Sequence, residues 1–328
     1  MKNSEIILTK KEVLIPINGD FFLKDVISLD QFDRRSVEKV FSKAAKIKKT
    51  SSKELLKILS GKVIGLLFFE PSTRTFSSNS AAVKRLGGQT VEHQNPMQTS
   101  SVVKGETIED TTMMMEQYVD AIVMRHPQVG TLEKVAEVAD IPVINAGDGI
   151  GEHPTQALLD MFTIYEKHGH LDNIKGLMVG DLLNGRTVHS LIKGLSIFNN
   201  VTLYLLSPKQ LRLSDKDLDE AKKRKIRLVE IKSFEEIPAD CHFWYWTRVQ
   251  KERFSDKSEY EKLKLSFILT KKLVDKKAGK NTLIMHPLPR VGEIETTVDS
   301  DPRAVYLTTE AKNGMYIRMA LLKLILSK

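Results

Sequence analysis

Residues 63–75 read VIGLLFFEPSTRT, an apolar run that passes directly into a polar turn. A short apolar run bounded by turn residues is typical of a strand buried on both faces, as in a parallel sheet. A helical pattern follows at residues 77–86, and Gly87 and Gly88 end it, as glycine commonly does at a helix C-terminus. Strand, turn and helix in this order predict one βα unit of an α/β fold.

The same alternation continues along the rest of the chain. It predicts strands at 120–125, 142–145, 176–180, 201–206, 226–231, 242–246 and 282–285, and helices at 131–139, 155–168, 186–198, 215–225 and 313–326. We therefore expect an α/β protein of two doubly wound domains, each with a central parallel sheet flanked by helices. The expected domains are residues 1–152 and 153–305, and the C-terminal helix at about 306–328 is expected to pack back onto the first domain.

The composition excludes several classes of protein. The 328 residues suffice for about two domains of ordinary size. No apolar run approaches the ~18 residues that a membrane-spanning helix needs, and residues 1–14 are too polar for a signal peptide. The single cysteine, Cys241, cannot form an internal disulfide or a cysteine-based metal site. We expect no metal, no cofactor, no membrane contact and a cytoplasmic location.

The chain is basic, with 50 Lys and Arg against 42 Asp and Glu, a formal net charge of +8. Such an excess suits a polyanion, a small anionic substrate or simply a solvated surface. The densest basic run, residues 222–227, lies at a predicted helix end and lacks the interleaved aromatic residues that stack on bases. Lysines there also interact favourably with the helix dipole. We therefore expect no nucleic-acid partner.

The turn after the first apolar run has the composition of a phosphate cradle. Ser72, Thr73 and Thr75 supply hydroxyl groups and Arg74 supplies a guanidinium. Ligands of open α/β sheets bind at the carboxyl ends of strands, where a helix start offers unpaired N–H groups. Judged on composition alone, an ordinary Ser/Thr helix cap with a surface arginine explains the turn equally well.

Two further basic residues of the first half suit an anion. Arg125 falls at the carboxyl end of its predicted strand, where a second phosphate arginine would sit. Ser100 and Lys104 belong to a polar loop whose lysine has the length to reach an anion. Taken alone, Arg125 is more readily a solvated strand-end charge and the loop is plain surface.

His153 and Gln156 frame a predicted helix start, with Pro154 in the first turn. Because they are three residues apart, both side chains can face the same pocket. Histidine is well suited to polarise a carbonyl group or to carry a proton near neutral pH. A helix-capping histidine is the alternative interpretation.

The second half places two arginines at predicted strand–helix junctions. Arg186 follows a glycine-flanked run that departs from the G-x-G-x-x-G pattern, so a nicotinamide cofactor is not expected. Arg248 and Gln250 lie on the same side of an extended chain because they are two residues apart. Two arginines suit a ligand with two carboxylates, and a salt-bridged surface is the alternative.

A proline-rich turn at residues 286–290 ends the last predicted strand. Its sequence is His-Pro-Leu-Pro-Arg. Proline has no N–H group, so the turn through Pro287, Leu288 and Pro289 offers carbonyl acceptors suited to an amide or amine.

Together these motifs resemble the carbamoyltransferase family and, within it, the aspartate carbamoyltransferases. The matching stretches are FFEPSTRT (68–75), HPTQ (153–156), GRT (185–187), TRVQ (247–250) and HPLPR (286–290). They occur in the family's order from about residue 62 to the C-terminus. Ornithine enzymes of the family carry a cysteine where Pro287 stands, so the resemblance favours aspartate; ornithine or another amine is the alternative acceptor.

The resemblance implies transfer of the carbamoyl group of carbamoyl phosphate to the α-amine of L-aspartate, giving N-carbamoyl-L-aspartate and phosphate, an early step of pyrimidine biosynthesis. It implies that the phosphate is held by Ser72, Thr73, Arg74, Thr75 and Arg125, and that the carbonyl oxygen is bound by Thr75, Arg125 and His153. The carbamoyl NH₂ group would be bound by Gln156 and by the turn Pro287, Leu288 and Pro289. Aspartate would be bound by Arg186, Arg248, Gln250, Lys104 and Leu288. Catalytic roles fall to Arg74, Thr75, Lys104, Arg125 and His153.

The resemblance also implies an assembly. In the family, the residues matching Ser100 and Lys104 enter the neighbouring subunit's site, which implies a homotrimer. Glu70 resembles a domain-closure carboxylate that pairs with Arg186 and Arg253 when ligands bind.

The chain departs from the family pattern at a few positions. Leu183 stands where a lysine is usual, and Phe76, Asn79 and Ser80 replace common residues after the cradle. We expect the changes at these three positions to affect helix packing rather than the cradle itself.

Overall fold

The computed structural model describes residues 12–96, 101–251, 254, 256–264 and 266–327. Its strands are β1 (Val63–Phe68), β2 (Gln89–Gln94), β3 (Ala121–His126), β4 (Val143–Asp148), β5 (Lys175–Val179), β6 (Thr202–Leu206), β7 (Arg227–Glu230), β8 (Phe243–Trp246) and β9 (Leu283–Met285). Its helices are α1 (Arg34–Lys49), α2 (Ser52–Leu55), α3 (Thr73–Arg85), α4 (Ile108–Met115), α5 (Thr131–Val138), α6 (Pro154–His168), α7 (Arg186–Leu195), α8 (Asp215–Lys223), α9 (Lys257–Leu263), α10 (Lys271–Lys277) and α11 (Thr309–Leu326).

Across these described ranges the strands form two parallel sheets, ordered β2-β1-β3-β4 and β7-β6-β5-β8-β9. The predicted α/β class with parallel sheets flanked by helices is confirmed. The chain divides into unit 1, Met1–Gly151 with Met319–Lys328, and unit 2, Glu152–Arg318. Residues of α11 thus belong to both units. The assignment of a separate binding role to each part of the chain stays a prediction.

Unit 1 is built around β1, whose continuous apolar run is explained by its position. The strand pairs with β2 on one side and β3 on the other, and its residues from Ile64 onward are buried. Helix α3 then runs back along the sheet and ends before Gly87, which has a φ of +86°. A Cβ atom at Gly87 would lie 1.8 Å from the carbonyl oxygen of Leu56, so only glycine fits this turn.

Unit 2 has its core on the face of the second sheet that carries Trp244 and Trp246. Every residue of β8 is buried, and β8 lies between β5 and β9. Trp244 and Trp246 lie in one apolar cluster with residues of β5, β6 and α10, and their ring centroids are 6.0 Å apart. Burial of such large rings stabilises the sheet whose carboxyl ends carry the polar loops described below.

Several local elements differ from the sequence-based prediction, which for example did not include helices α2, α4, α9 and α10. Helix α3 begins at Thr73 rather than at residue 77, one turn earlier, because the apolar positions that reveal its period include only the later turns. Strand β2 was not predicted, since it is a half-exposed strand at the sheet edge and needs no apolar run. Helix α1 was also missed, although its buried stripe from Val37 to Ile47 has helical spacing.

None of the helices within the described ranges combines the length and the apolar character needed to cross a bilayer.

Candidate active site

The first turn of α3 forms the polar end of the first βα unit in unit 1. Thr73, Arg74 and Thr75 occupy this turn, and the turn holds no acidic residue. Within the described residues, the N-cap Ser72 makes no side-chain capping bond, so an ordinary serine cap does not account for it. Hydroxyl groups and free helix N–H groups at the positive end of a dipole are the donors that bind phosphate.

Three residues that depart from the pattern named above, Phe76, Asn79 and Ser80, hold α3 in place behind this turn. The buried Asn79 donates a hydrogen bond from Nδ2 to the carbonyl oxygen of Thr75 at 2.9 Å. The Phe76 ring packs edge-on against Phe68 of β1, with ring centroids 5.2 Å apart. Ser80 donates to Glu92 Oε1 of β2 at 2.8 Å. These contacts fit the expected packing role and fix α3 on the sheet.

Arg125 lies at the carboxyl end of β3, where the sequence predicted it. The guanidinium is nearly buried, with 10% of the side chain exposed, and its Nη2 lies 2.8 Å from Glu70 Oε2. The backbone N–H of Phe69 donates to the carbonyl oxygen of Arg125 at 2.8 Å, which ties the start of the cradle to β3. Arg125 is therefore a buried, ion-paired cation rather than a solvated strand-end charge.

Two predicted site residues lie outside the described residues, namely Ser100 and Arg253. Lys104 is described: it ends a short 3-10 turn, Ser101–Lys104, and is exposed. Its proposed reach into another subunit stays a prediction.

In unit 2, His153 occupies the N-cap position of α6 and is 3% exposed. Its backbone N–H donates to Ser190 Oγ at 3.0 Å, and its Nδ1 lies 3.4 Å from Thr155 Oγ1. Across the described residues the ring makes no capping bond to α6, so the helix-capping alternative is not supported. The backbone and Nδ1 contacts hold the ring at the start of the helix.

Gln156 is oriented by a carboxyl group one turn further along α6. Its Nε2 donates to Asp160 Oδ1 at 2.9 Å. A carboxylate only accepts hydrogen bonds, which assigns the amide nitrogen to this contact and leaves Oε1 on the opposite side. An amide oxygen is the atom that would accept from a carbamoyl NH₂ group.

A buried cluster of ionisable side chains surrounds Asp160. The hydroxyl group of Tyr245, on β8, donates to Asp160 Oδ2 at 2.9 Å. Glu310 and Arg318, both on α11, approach the same carboxyl group, and Arg318 Nη2 lies 3.3 Å from Thr155 Oγ1. Burial raises the pKa of Asp160 and lowers that of Arg318 to about 10.

The turn after β9 is held by His286. Its Nδ1 accepts from the backbone N–H of Leu288 at 2.7 Å, so the other ring nitrogen, Nε2, donates to Glu293 Oε1, also at 2.7 Å. Burial raises the pKa of Glu293 and the bond from His286 lowers it, and the net direction is downward. The bond from the Leu288 N–H to His286 Nδ1 fixes the shape of the turn. The turn then offers the carbonyl oxygens of Pro287 and Leu288 as acceptors.

The loops that carry Arg186 and Gln250 lie side by side at the ends of β5 and β8. The buried Asp181 joins them, because its Oδ1 accepts from the backbone N–H of Asn184 at 2.9 Å and its Oδ2 from that of Gln250 at 3.3 Å. Gln250 Nε2 also donates to the carbonyl oxygen of Asn184 at 2.7 Å. Burial raises the pKa of Asp181.

Close approach of these two loops depends on Gly180, whose φ is +114°. A Cβ atom there would lie 2.2 Å from the carbonyl oxygen of Thr247. Thr247 and Val249 are buried while Arg248 and Gln250 are half-buried, which is the alternation that the sequence predicted. Arg186 begins α7 directly after this junction.

The sequence alone did not indicate three functional candidates, namely Asp160, Glu310 and Asp181. The spacing of four residues between Gln156 and Asp160 on one helix was a usable signal. Glu310 had no local signal, because α11 brings it to Asp160 through tertiary packing. In the described part of the chain, no group of three or more His, Cys, Asp or Glu side chains is arranged to hold a metal ion.

Comparison with known proteins identifies two family regions. Residues 24–166 match the carbamoyl-P binding domain of aspartate/ornithine carbamoyltransferases, and residues 172–325 match the Asp/Orn binding domain of the same family. Both matches fall on the parts of the chain that carry the loops described above.

Individual relatives agree with this match. The aspartate carbamoyltransferase catalytic subunit of Methanobrevibacter smithii is 45% identical over 92% of this chain and 95% of its own length. The chloroplastic aspartate carbamoyltransferase of Arabidopsis thaliana is 47% identical over 93% of this chain and 78% of its own.

A solved structure extends the agreement to the fold. Aspartate transcarbamoylase from Trypanosoma cruzi, in complex with carbamoyl phosphate and aspartate, superposes with a TM-score of 0.86 at 36% identity, covering 96% of this chain and 100% of that one. The chain belongs to the aspartate/ornithine carbamoyltransferase family, and these relatives are aspartate carbamoyltransferases.

Proposed function

We propose that this chain is a transferase that moves the carbamoyl group of carbamoyl phosphate to the α-amine of L-aspartate. The observation that carries the proposal is the first turn of α3, where Thr73, Arg74 and Thr75 lie at the end of β1. The buried Arg125 lies near the carboxyl end of β3, the adjacent strand of the same sheet. Hydroxyl groups, helix N–H groups and guanidinium groups together suit a phosphate dianion.

The carbonyl carbon is the reacting centre. When the amine attacks it, negative charge develops on the carbonyl oxygen, and Thr75, Arg125 and His153 are the proposed donors to that oxygen. Preorganised donors of this kind each contribute roughly 3–4 kcal/mol to lowering the barrier. The leaving phosphate accepts the amine proton, so that the step requires no separate protein base.

Unit 2 supplies the groups that suit the acceptor. Arg186 is proposed to bind the α-carboxylate of aspartate, and Arg248 with Gln250 to bind its side-chain carboxylate. Guanidinium groups favour carboxylates in bidentate geometry and disfavour the cationic side chain of ornithine. The ornithine alternative is therefore not favoured, in keeping with the aspartate enzymes among the relatives.

We further propose a homotrimer in which Ser100 and Lys104 act in a neighbouring subunit's site. We also propose that Glu70 and Arg253 pair during domain closure, and that the protein is cytoplasmic. The homotrimer is supported by the family resemblance and by the exposure of Lys104. The plant relatives are chloroplastic, so the compartment is best tested directly by localising the tagged chain in its own cells.

The phosphate site is tested by calorimetric titration of carbamoyl phosphate into the wild type and into Arg74→Ala. We expect the variant to lose at least about tenfold in affinity, as removal of one charge-assisted contact costs about 1.5–3 kcal/mol. The control is Arg85→Ala in the last turn of the same helix, which should bind like the wild type. Equal affinity in Arg74→Ala and wild type would contradict the proposed cradle.

A further inference from the structure

Unit 2 buries two carboxyl groups next to each other, Asp160 on α6 and Glu310 on α11. Asp160 is 0% exposed and Glu310 is 2% exposed. The two carboxyl groups act on each other electrostatically, since each shifts the pKa of the other. A buried pair of carboxylates cannot both stay ionised at such close range, because the repulsion of like charges is strong in a medium of low polarity.

The hydrogen bonds around the pair show where the shared proton lies. Asp160 uses Oδ1 to accept from Gln156 and Oδ2 to accept from Tyr245. Glu310 Oε2 accepts from the backbone N–H of His286 at 3.1 Å. Among the described residues, Glu310 Oε1 receives no hydrogen bond, and this buried oxygen is the one atom of the pair without a donor. A proton on Glu310 Oε1 turns this oxygen into a donor, for which the ionised Asp160 is the available acceptor.

We propose that Glu310 is held protonated and donates to Asp160, so that Asp160 stays an acceptor and positions the Gln156 amide with Oε1 toward the carbamoyl NH₂ group. Glu310 and Asp160 are positioning residues that act through Gln156. This inference rests on the proposed function, because the role of Gln156 comes from carbamoyl transfer.

The electrostatic environment agrees with this arrangement. Burial and the charge of Asp160 raise the pKa of Glu310 well above its ordinary value. The charged and titratable groups facing the pair come from three elements: Tyr245 on β8, Arg318 on α11, and the two carboxyl groups themselves on α6 and α11. Arg318 favours one negative charge on the pair, and Tyr245 stays neutral because burial raises its pKa as well.

The arrangement predicts a specific pH dependence. The folded chain keeps a proton on Glu310 that the unfolded chain releases at a lower pH, so the pair makes the folded state less stable as pH rises. At alkaline pH the shared proton is lost, two buried carboxylates repel each other, and the hold on Gln156 weakens. The binding of carbamoyl phosphate then declines.

The discriminating variant is Glu310→Gln. The amide replaces the acid in shape: its oxygen accepts from the His286 N–H and its nitrogen donates to Asp160, but it has no proton to lose. We expect near-wild-type kcat/KM for carbamoyl phosphate at neutral pH, and a ratio of variant to wild-type kcat/KM that rises as the pH is raised. Ionisation of the substrates cancels in this ratio.

A second variant, Glu310→Leu, replaces the donor with an apolar side chain of similar size. We expect its KM for carbamoyl phosphate to rise about tenfold, the equivalent of one lost hydrogen bond to a charged group, while its kcat changes less. Urea unfolding of both variants shows whether each is folded under assay conditions. If Glu310→Leu does not fold, the comparison of Glu310→Gln with wild type still decides the question.

Infrared difference spectroscopy of the wild type against Glu310→Gln gives a readout besides activity. We expect the carbonyl stretch of a protonated carboxyl group in the wild type at neutral pH and its loss in the variant. A flat activity ratio across pH, or no such band in the wild type, would overturn the proposal. Failure of the proposed function is distinct, because the wild type would then form no carbamoyl aspartate at any pH.

Discussion

Glu70 and Arg125 form an ion pair of 2.8 Å at the carboxyl ends of two adjacent strands, at the edge of the proposed phosphate site. The carboxylate occupies one side of the guanidinium that is proposed to bind phosphate. An incoming phosphate must therefore compete with Glu70 for Arg125. Glu70 is therefore expected to weaken phosphate binding even when the domains do not move.

We expect Glu70→Gln to bind inorganic phosphate about fivefold more tightly than the wild type, since an ion pair of this exposure contributes up to about 1 kcal/mol. Calorimetric titration measures the affinity. Glu54→Gln removes the same charge from an exposed position on α2 and should bind phosphate like the wild type. Unchanged or weaker phosphate binding by Glu70→Gln would show that the two anions do not compete.

Asn79 supports the cradle through its bond to the Thr75 carbonyl oxygen. We expect Asn79→Ala to lower the free energy of unfolding by about 0.5–1.5 kcal/mol, because one buried hydrogen bond is lost while Ser78 Oγ still donates to the Thr75 carbonyl oxygen at 3.1 Å. We also expect the KM for carbamoyl phosphate to rise. Urea unfolding and initial-rate kinetics provide the two measurements. Ser77→Ala, at an exposed position of the same helix, is the matched control and should alter stability by less than about 0.5 kcal/mol. Equal behaviour of the two variants would refute the supporting role.

The shared-site proposal predicts complementation between inactive chains. Arg74→Ala and Lys104→Ala carry their defects in different parts of unit 1, so a hybrid trimer combines an intact cradle from one chain with an intact lysine from another. We expect activity to reappear after the two variants are mixed and exchanged. Absence of recovery after subunit exchange is demonstrated by mass spectrometry would sink the proposal.

Asp301 and Arg303, both in the segment after β9, form a salt bridge in which Arg303 Nη2 lies 2.8 Å from Asp301 Oδ2. Lys271 Nζ of α10 lies 3.3 Å from the same oxygen and ties the segment to that helix. The hydrogen bond from Arg303 holds the pKa of Asp301 well below its ordinary value. Because the folded pKa is depressed, this stabilisation is present above the unfolded pKa and is lost as pH falls through the folded value.

We therefore expect Asp301→Asn to lower the free energy of unfolding by roughly 3 kcal/mol at pH 7, as for removal of one partner from a buried pair. The difference from wild type should shrink progressively as the pH is lowered below about 4, the ordinary range of an aspartate. Urea unfolding across pH measures it. A difference that is independent of pH would exclude the ionised pair as its cause.

The sequence predicted the α/β class, most of the strands and the candidate site residues because buried parallel strands and polar strand ends leave local signals. It missed the true start of α3, whose first turn carries hydroxyl groups rather than apolar residues. It also missed Glu310, because the partner of that residue, Asp160, is distant in sequence and α11 brings the two together only in the folded chain. Hydrogen-bond partners such as Asn79 with Thr75 likewise follow from helix geometry and burial, which composition alone does not reveal.

The acceptor residues are tested by comparing the wild type with Arg248→Ala. Removal of a guanidinium that binds the side-chain carboxylate should raise KM for aspartate by at least about tenfold, since one hydrogen bond to a charged group contributes about 1.5–3 kcal/mol. The variant should still bind carbamoyl phosphate with wild-type affinity, which shows that its fold and the phosphate site are intact.

The most direct test of the account is the rate of carbamoyl product formation from carbamoyl phosphate with L-aspartate, measured beside the same assay with L-ornithine. We predict rapid, stoichiometric formation of N-carbamoyl-L-aspartate and phosphate, and no citrulline above background. Turnover with ornithine in preference to aspartate, or with neither, would contradict the account.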